Sequence, residues 1–164
     1  MKNTTFAANK IYSLQQLQQL VETWKLRSQT FAFTNGCFDV LHAGHILSLN
    51  EAAKTADYLV VAINSDSSVK RLKGENRPVN NEQDRALLLA NLIQVDAVVI
   101  FDEDTPLNVI KTLLPDVLIK GGDYTIDQIA GAKEVQANGG KIVINPILKG
   151  YSSSKTIEKI KCAG

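Results

Sequence analysis

The sequence predicts an α/β protein with a Rossmann-like, doubly wound sheet, mainly parallel, of about five strands with helices on both faces. Short apolar runs alternate with amphipathic segments along most of the 164 residues. The run YLVVAIN at 58–64 is apolar on both faces, which is typical of a strand buried between two helical layers. Polar turns follow these runs, and such regular alternation favours parallel strands joined by right-handed crossovers.

The elements are predicted in order from apolar spacing and capping residues. A helix begins after Ser13, which caps it, and carries apolar residues at helical spacing as far as Trp24. The predicted strands are the apolar runs at 31–35, 58–64, 97–100, 117–120 and 141–144. The other predicted helices cover 43–56, 82–93, 107–114 and 132–137, and a last one starts near 154. The stretch SDSSVKRLKGENRPVN at 65–80 is predicted to be a polar, basic loop.

Length and composition predict one domain over 1–164, with an N-terminal helical extension at 1–27 and a Rossmann-like core at 28–164. Hydrophobic residues make up 45% and charged residues 21%, which is typical of a globular chain. A net charge of +1 and 6% aromatic residues disfavour nucleic-acid and anionic membrane partners. Because neither a membrane span nor a signal peptide is visible, we expect a cytoplasmic protein.

Cysteines and carboxylates give no metal signature. Cys37 and Cys162 are far apart and belong to no CxxC pair, so neither a zinc site nor a disulfide framework is expected. Cys37 is interpreted as a small apolar residue of a turn. The acidic cluster at 102–104 would suit a metal ion, but a solvated loop before a helix is an equally good interpretation.

The chain's two histidines, His42 and His45, lie in TNGCFDVLHAGH, which joins a predicted strand to a predicted helix. Helix N-termini attract anions, and ligands of doubly wound sheets bind beyond the carboxyl ends of the strands. A spacing of three places both imidazoles on one helix face, where both could donate to one phosphoryl group. Gly44 would let a phosphate approach the backbone. The segment therefore predicts a phosphate site, with a helix start devoid of chemistry as the alternative.

GCFDVLHAGH resembles the HxGH signature of the nucleotidylyltransferase superfamily, which includes the cytidylyltransferases. VAINSDSSVKRLKGENRPV, DEDTP, LPDVLIKGGDY, IAGAKEV and NGGKIV make the chain most similar to the heptose 1-phosphate adenylyltransferases of that superfamily, from Phe31 to Ile160. The resemblance implies that ATP and D-glycero-D-manno-heptose 1-phosphate give ADP-heptose and pyrophosphate, by in-line attack on the α-phosphorus. It also implies a place in lipopolysaccharide biosynthesis.

The same resemblance implies roles for individual residues. The residues expected to be catalytic are His42, His45 and Lys73. The residues expected to bind the nucleotide are Asn35, Gly36, Cys37, Phe38, Gly44, Gly121, Asp123, Ser152, Ser153 and Ser154. The residues expected to bind the second substrate are Asp39, Lys70, Arg85, Lys120 and Tyr124. Mg²⁺ is expected to arrive with the nucleotide, and no side-chain metal site is predicted.

Several of these assignments have a simpler alternative. Asp39 would also serve as a turn residue, Lys70 and Lys73 as charges of a solvated loop, and Arg85 as a surface arginine of a helix. The serine run at 152–154 resembles the family's ISSTxxR signature, but Ile157 stands at its arginine position. As the simpler alternative, these serines only cap the helix that follows.

Two other functions stay open at this point. One is a CTP-dependent cytidylyltransferase that acts on an alcohol phosphate such as glycerol 3-phosphate. The other is a nucleotide-binding regulator that has lost turnover. Related enzymes are commonly dimers, so the expected partners are ATP, a sugar 1-phosphate and a second copy of the chain.

Overall fold

A computed structural model describes residues 6–122, 124–145 and 151–162, except for the side chains of Lys155 and Lys161. The strands of this part of the chain are β1 (Ile11–Tyr12), β2 (Phe31–Gly36), β3 (Tyr58–Asn64), β4 (Ala97–Phe101), β5 (Val117–Gly121) and β6 (Lys141–Asn145). Its α-helices are α1 (Leu14–Leu26), α2 (Ala43–Ala53), α3 (Asp66–Lys73), α4 (Glu82–Ala90), α5 (Leu107–Leu113), α6 (Ala132–Ala137) and α7 (Ser153–Cys162).

The strands form one sheet in the order β1-β4-β3-β2-β5-β6, and every pair of neighbours is parallel. From β2 the chain moves outward through β3 to β4, then returns past β2 to build β5 and β6 on the other side. The strand order therefore reverses between β2 and β5. In sheets of this kind the crevice at the carboxyl ends of these two strands is where ligands bind.

Two apolar layers cover the two faces of the sheet. Phe31 and Phe33 belong to the layer that contains α1, α5 and α6, whereas Ala32 between them belongs to the layer that contains α2 and α4. All three side chains are fully buried. Because both faces of the strands are covered, the strands are continuously apolar. The predicted fold class is confirmed.

The prediction of a loop over 65–80 is wrong in its first half, which forms α3. Ser65 caps this helix, because its Oγ accepts a hydrogen bond from the backbone N–H of Ser68. Val69 is the only strongly apolar side chain that α3 buries, so the segment shows little of the periodicity from which a helix is recognised.

The segment predicted as an N-terminal extension takes part in the sheet and the core. β1 pairs with Val98 and Val99 of β4, although two residues are too few for a recognisable strand pattern. Trp24 of α1 is buried, and its ring stacks on that of Tyr58 with centroids 4.2 Å apart. None of the described helices is long and apolar enough to cross a membrane.

Candidate active site

Two adjoining cavities, of about 340 and 270 Å³, lie at the carboxyl ends of β2 and β5. We call their union the switch-point cleft. Both cavities are lined by His45, Ser48, Lys73, Gly121 and Ser153. The loop after β2, the start of α2, the end of α3 and the start of α7 therefore meet where the fold predicts a ligand.

The two histidines form a stacked pair at the start of α2. His42 is the N-cap residue, and its carbonyl accepts a hydrogen bond of 2.9 Å from the backbone N–H of His45. The ring centroids are 3.8 Å apart, and the rings are inclined by only 15°. The ring of Phe38, a residue with a positive φ of 47°, lies 5.2 Å from that of His45. The turn and the helix start together fix the pair in the cleft.

Both imidazoles favour the neutral form at pH 7, because the pKa of each lies below its usual value. Burial, followed by the proximity of His42 and Lys73, lowers the pKa of His45 to about 4. Burial also lowers the pKa of His42. Each neutral ring offers one N–H donor and one acceptor nitrogen. The Nδ1 atoms of both rings are buried and have no hydrogen-bond partner among the described residues, an arrangement that costs free energy.

Two lysines bring positive charge to this region. Lys73, the last residue of α3, lines both cavities and forms no hydrogen bond or ion pair with any described residue. Lys120, near the end of β5, donates a hydrogen bond of 3.2 Å to Oδ1 of Asn35. Its ammonium group lies 5.5 Å from the ring centre of Tyr124, and burial lowers its pKa. Anionic ligands would gain from both charges.

Asp39 is engaged by the protein itself. Its carboxylate is only 1% exposed and accepts hydrogen bonds from Nε of Arg77 at 2.6 Å and from the backbone N–H groups of Val79 and Asn80 at 2.7 and 3.0 Å. Burial would raise the pKa of Asp39, but these three donors outweigh it, so the pKa lies below its usual range. Asp39 thus connects the segment after α3 to the loop after β2 through these hydrogen bonds.

Arg85 is placed differently from the prediction. It is fully buried, and each of its three nitrogen atoms donates to the protein. Nε donates to the Asn80 carbonyl at 3.0 Å, Nη1 to the Cys37 carbonyl at 2.6 Å and Nη2 to the Asp66 carboxylate at 2.7 Å. Arg85 therefore joins three segments of the chain, and each of its nitrogen atoms already donates to a protein oxygen.

The start of α7 closes the cleft from the other side. Oγ of Ser153 donates to the Val40 carbonyl at 3.0 Å. Tyr151 lies against Gly44, where an added Cβ would come within 2.7 Å of the Cβ of Tyr151. Gly44 is thus required by a neighbouring side chain, a reason that the sequence did not indicate. Tyr151 was also missed, although it stands beside the serine run from which the site was predicted.

The cleft brings together most of the residues predicted for the site. Those that line it are Asn35, Gly36, Cys37, Phe38, Asp39, His42, Gly44, His45, Lys73, Lys120, Gly121, Tyr124, Ser152, Ser153 and Ser154. Lys70 is exposed and lines neither cavity, and Arg85 lies beneath them. Asp123 falls outside the described residues. Sequence reasoning missed Thr34, Ser48, Arg77 and Tyr151, which also line the cleft. Arg77 gave a signal as a basic residue of the stretch 65–80, and Tyr151 gave one as the neighbour of the serine run.

The acidic cluster at 102–104 contacts α3. Nε of Arg71 lies 2.8 Å from the carboxylate of Asp104, and Asp102 accepts hydrogen bonds from Ser65 and Ser67. No group of three or more histidine, cysteine or carboxylate side chains within 6–122, 124–145 and 151–162 is arranged to hold a metal ion.

Comparison with known proteins identifies the family. The cytidylyltransferase-like family model matches residues 33–159. The chain belongs to the cytidylyltransferase-like family. It is therefore a nucleotidyltransferase domain, as the HxGH segment indicates.

Curated relatives are longer than this chain. Bifunctional protein HldE of Paramagnetospirillum magneticum is 50% identical over 159 residues, which are 97% of this chain and 33% of that protein. Bifunctional protein HldE of Hyphomonas neptunium is 55% identical over 139 residues, which are 85% of this chain and 29% of that protein. The chain thus spans about a third of the length of the curated relatives that it matches.

Two solved structures are similar to the fold. The lipopolysaccharide core biosynthesis protein of Thermoplasma volcanium superposes with a TM-score of 0.59 at 29% identity, covering 76% of this chain and 99% of that one. Pantoate-beta-alanine ligase of Francisella tularensis also gives a TM-score of 0.59, at 17% identity, covering 83% of this chain and 66% of the ligase. The second likeness supports the fold alone.

Proposed function

We propose that this domain transfers the adenylyl group of ATP to D-glycero-D-manno-heptose 1-phosphate, which yields ADP-heptose and pyrophosphate. The observation that carries the proposal is the stacked, neutral pair of His42 and His45 beside the unpaired cation of Lys73 in the switch-point cleft. The heptose subgroup is supported by the motifs of the sequence and by relatives named HldE.

In the proposed reaction an oxygen of the sugar phosphate attacks the α-phosphorus of ATP. The bond from the α-phosphorus to its bridging oxygen breaks, and pyrophosphate leaves with the electron pair. The attacking phosphate is already anionic, so no general base is needed. Catalysis then depends on positioning and on donors aimed at the developing charge, roles that suit two neutral imidazole N–H groups and a free ammonium group.

Other groups of the cleft fit the remaining phosphates. The N-terminus of α7 offers backbone N–H donors to an anion, and Ser154, which lines the cleft there, offers its hydroxyl. Mg²⁺ would arrive with the nucleotide and remain bound mainly by phosphate oxygens and water. This fits the side chains present, because the carboxylate of Asp39, which lines the cleft, already accepts three hydrogen bonds from the protein.

Pyrophosphate release tests the proposal. ATP and CTP are each combined with D-glycero-D-manno-heptose 1-phosphate and with glycerol 3-phosphate. We expect rapid release only with ATP and the heptose phosphate. Release with CTP and glycerol 3-phosphate alone would identify a cytidylyltransferase instead. Binding of ATP without release from any acceptor would identify a nucleotide-binding regulator.

A substitution at the histidine pair connects that activity to the cleft. His45→Ala removes one preorganised donor, which typically lowers kcat by about 10²-fold or more. Glu51→Gln is the matched control, because Glu51 lies on the same helix and forms an exposed pair with Lys54. A threefold or smaller effect of His45→Ala, on the order of the scatter among surface variants, would contradict the assigned role.

A further inference from the structure

A guanidinium group with unused donors forms part of the wall of the switch-point cleft. Arg77 lines the cleft, and its side chain is only 12% exposed. Its Nε donates to Asp39 at 2.6 Å. Nη1 lies 3.5 Å from Oγ of Ser154, at the outer limit of a hydrogen bond. Nη2 is buried without a hydrogen-bond partner among the described residues.

A purely structural arginine would be expected to use its donors more fully. Arg85 does so, since its three nitrogen atoms each donate to a protein oxygen. Arg77 meets a carboxylate, but the second oxygen of Asp39 accepts from two backbone N–H groups, so the pair is joined through Nε alone. A buried donor of a charged group left unpaired is costly. The Nη side of Arg77 is therefore suited to an oxygen that enters with a ligand.

We propose that Arg77 binds a phosphate group of one of the two substrates through Nη1 and Nη2, while Asp39 holds its Nε. The planar fork of a guanidinium matches two phosphate oxygens. The surroundings favour an anion, because His45, Lys73 and Ser153 line the same cavity as Arg77. A phosphate beside Ser153 would replace the weak contact of Nη1 with Ser154. This inference rests on the proposed function, and the phosphate is that of the nucleotide or that of the acceptor.

Nucleotide binding and acceptor kinetics of two Arg77 variants test the proposal and show which phosphate Arg77 binds. Arg77→Gln removes the charge, and Arg77→Lys keeps it without the fork. The nucleotide probe is α,β-methylene-ATP, titrated by calorimetry, and the acceptor is followed through KM for the heptose phosphate. We expect Arg77→Gln to weaken one of the two by about tenfold or more, and Arg77→Lys to recover part of the loss. A raised nucleotide Kd assigns the polyphosphate, whereas a raised acceptor KM alone assigns the acceptor phosphate.

The matched control is Arg71→Gln, which removes an exposed arginine that pairs with Asp104 at 2.8 Å outside the cleft. Unchanged Kd and KM in Arg77→Gln would overturn the proposal. Equally weakened binding of both ligands, with a lowered Tm in both Arg77 variants, would also overturn it, because the loss of a purely structural residue has that effect. If the wild-type domain released no pyrophosphate, the proposed function would fail, but the nucleotide titration would still test Arg77. If His45→Ala abolished turnover while Arg77→Gln matched the wild type, only the inference about Arg77 would fail.

Discussion

Replacement of Arg85 separates its role beneath the cleft from the substrate-binding role that the sequence predicts. In the structure Arg85 is fully buried and donates to the carbonyls of Asn80 and Cys37 and to the carboxylate of Asp66. Arg85→Leu leaves all three acceptors without their partner. Two of them are carbonyls, and the third is a carboxylate that is 35% exposed and can recover part of its solvation.

The expected loss follows from these partners. Removing one member of a fully buried charged pair typically costs about 3–5 kcal/mol, and the cost for this pair is smaller because Asp66 is 35% exposed. Each carbonyl left unpaired adds on the order of 1–3 kcal/mol. Contributions in one network overlap, so we expect the free energy of unfolding to fall by about 3–5 kcal/mol in Arg85→Leu. Arg85→Lys keeps a charge but cannot reach three acceptors, and its loss should be smaller.

Urea unfolding followed by circular dichroism measures these losses. Arg71→Leu is the control, because it removes an exposed arginine of α3 with its ion pairs to Asp102 and Asp104, and it should change stability much less. If Arg85→Leu left the free energy of unfolding unchanged but raised KM for the sugar phosphate alone, the structural role would be refuted. Arg85 would then be the substrate-binding residue that the sequence predicts.

Three further predictions concern the cleft and its histidines. Lys73→Ala should lower kcat by about tenfold or more in the pyrophosphate assay with little change in Tm, since Lys73 has no partner among the described residues. Lys70→Ala, on the same helix, should leave kcat unchanged. A larger loss of kcat in Lys70→Ala than in Lys73→Ala would contradict the assignment. Gly44→Ala should lower kcat with little change in Tm, because the new Cβ would lie 2.7 Å from the Cβ of Tyr151 and 3.1 Å from Cε1 of His42 and would displace the histidine pair. A normal kcat would show that the histidine pair tolerates this displacement. The pKa of His45 falls from 6.5 to about 4 on folding, so the unfolded chain binds more protons between these values, and the free energy of unfolding should decline as the pH falls from about 6.5 to 4. Urea unfolding at about pH 5, inside that window, and at about pH 7, above it, should show a smaller difference for His45→Ala than for the wild type, and an equal difference would contradict the lowered pKa.

The sheet could be predicted because burial on both faces gives an unmistakable apolar run. β2 and β3 are read directly from such runs. The predicted position of the two histidines at a strand-to-helix junction depends on the same runs. By contrast, α3 exposes most of its side chains and buries little apolar surface, so its helical state depends on capping by Ser65 and on contacts with the following segments.

The arginines mark the limit of prediction for the site. Arg85 has the neighbours of an ordinary helical residue in the sequence, and its burial depends on oxygen atoms of residues 37, 66 and 80 that only the fold brings together. Arg77 was one of several basic residues in a polar stretch, and its distinction from Arg71 is the buried carboxylate of Asp39. Residue type and spacing therefore indicate where the cleft lies. Which charged side chains line it depends on the partner that each of them finds in the folded protein.

The close stacking of His42 and His45 favours the neutral form of both rings in the cleft. Two positive charges at the 3.8 Å separation of the rings would repel by roughly 4 kcal/mol at an effective dielectric constant of about 20. Burial adds to this cost, so both rings stay neutral and can pack face to face. A pair of neutral imidazoles can therefore place two donors against one anion, while Lys73 supplies the positive charge from a neighbouring helix.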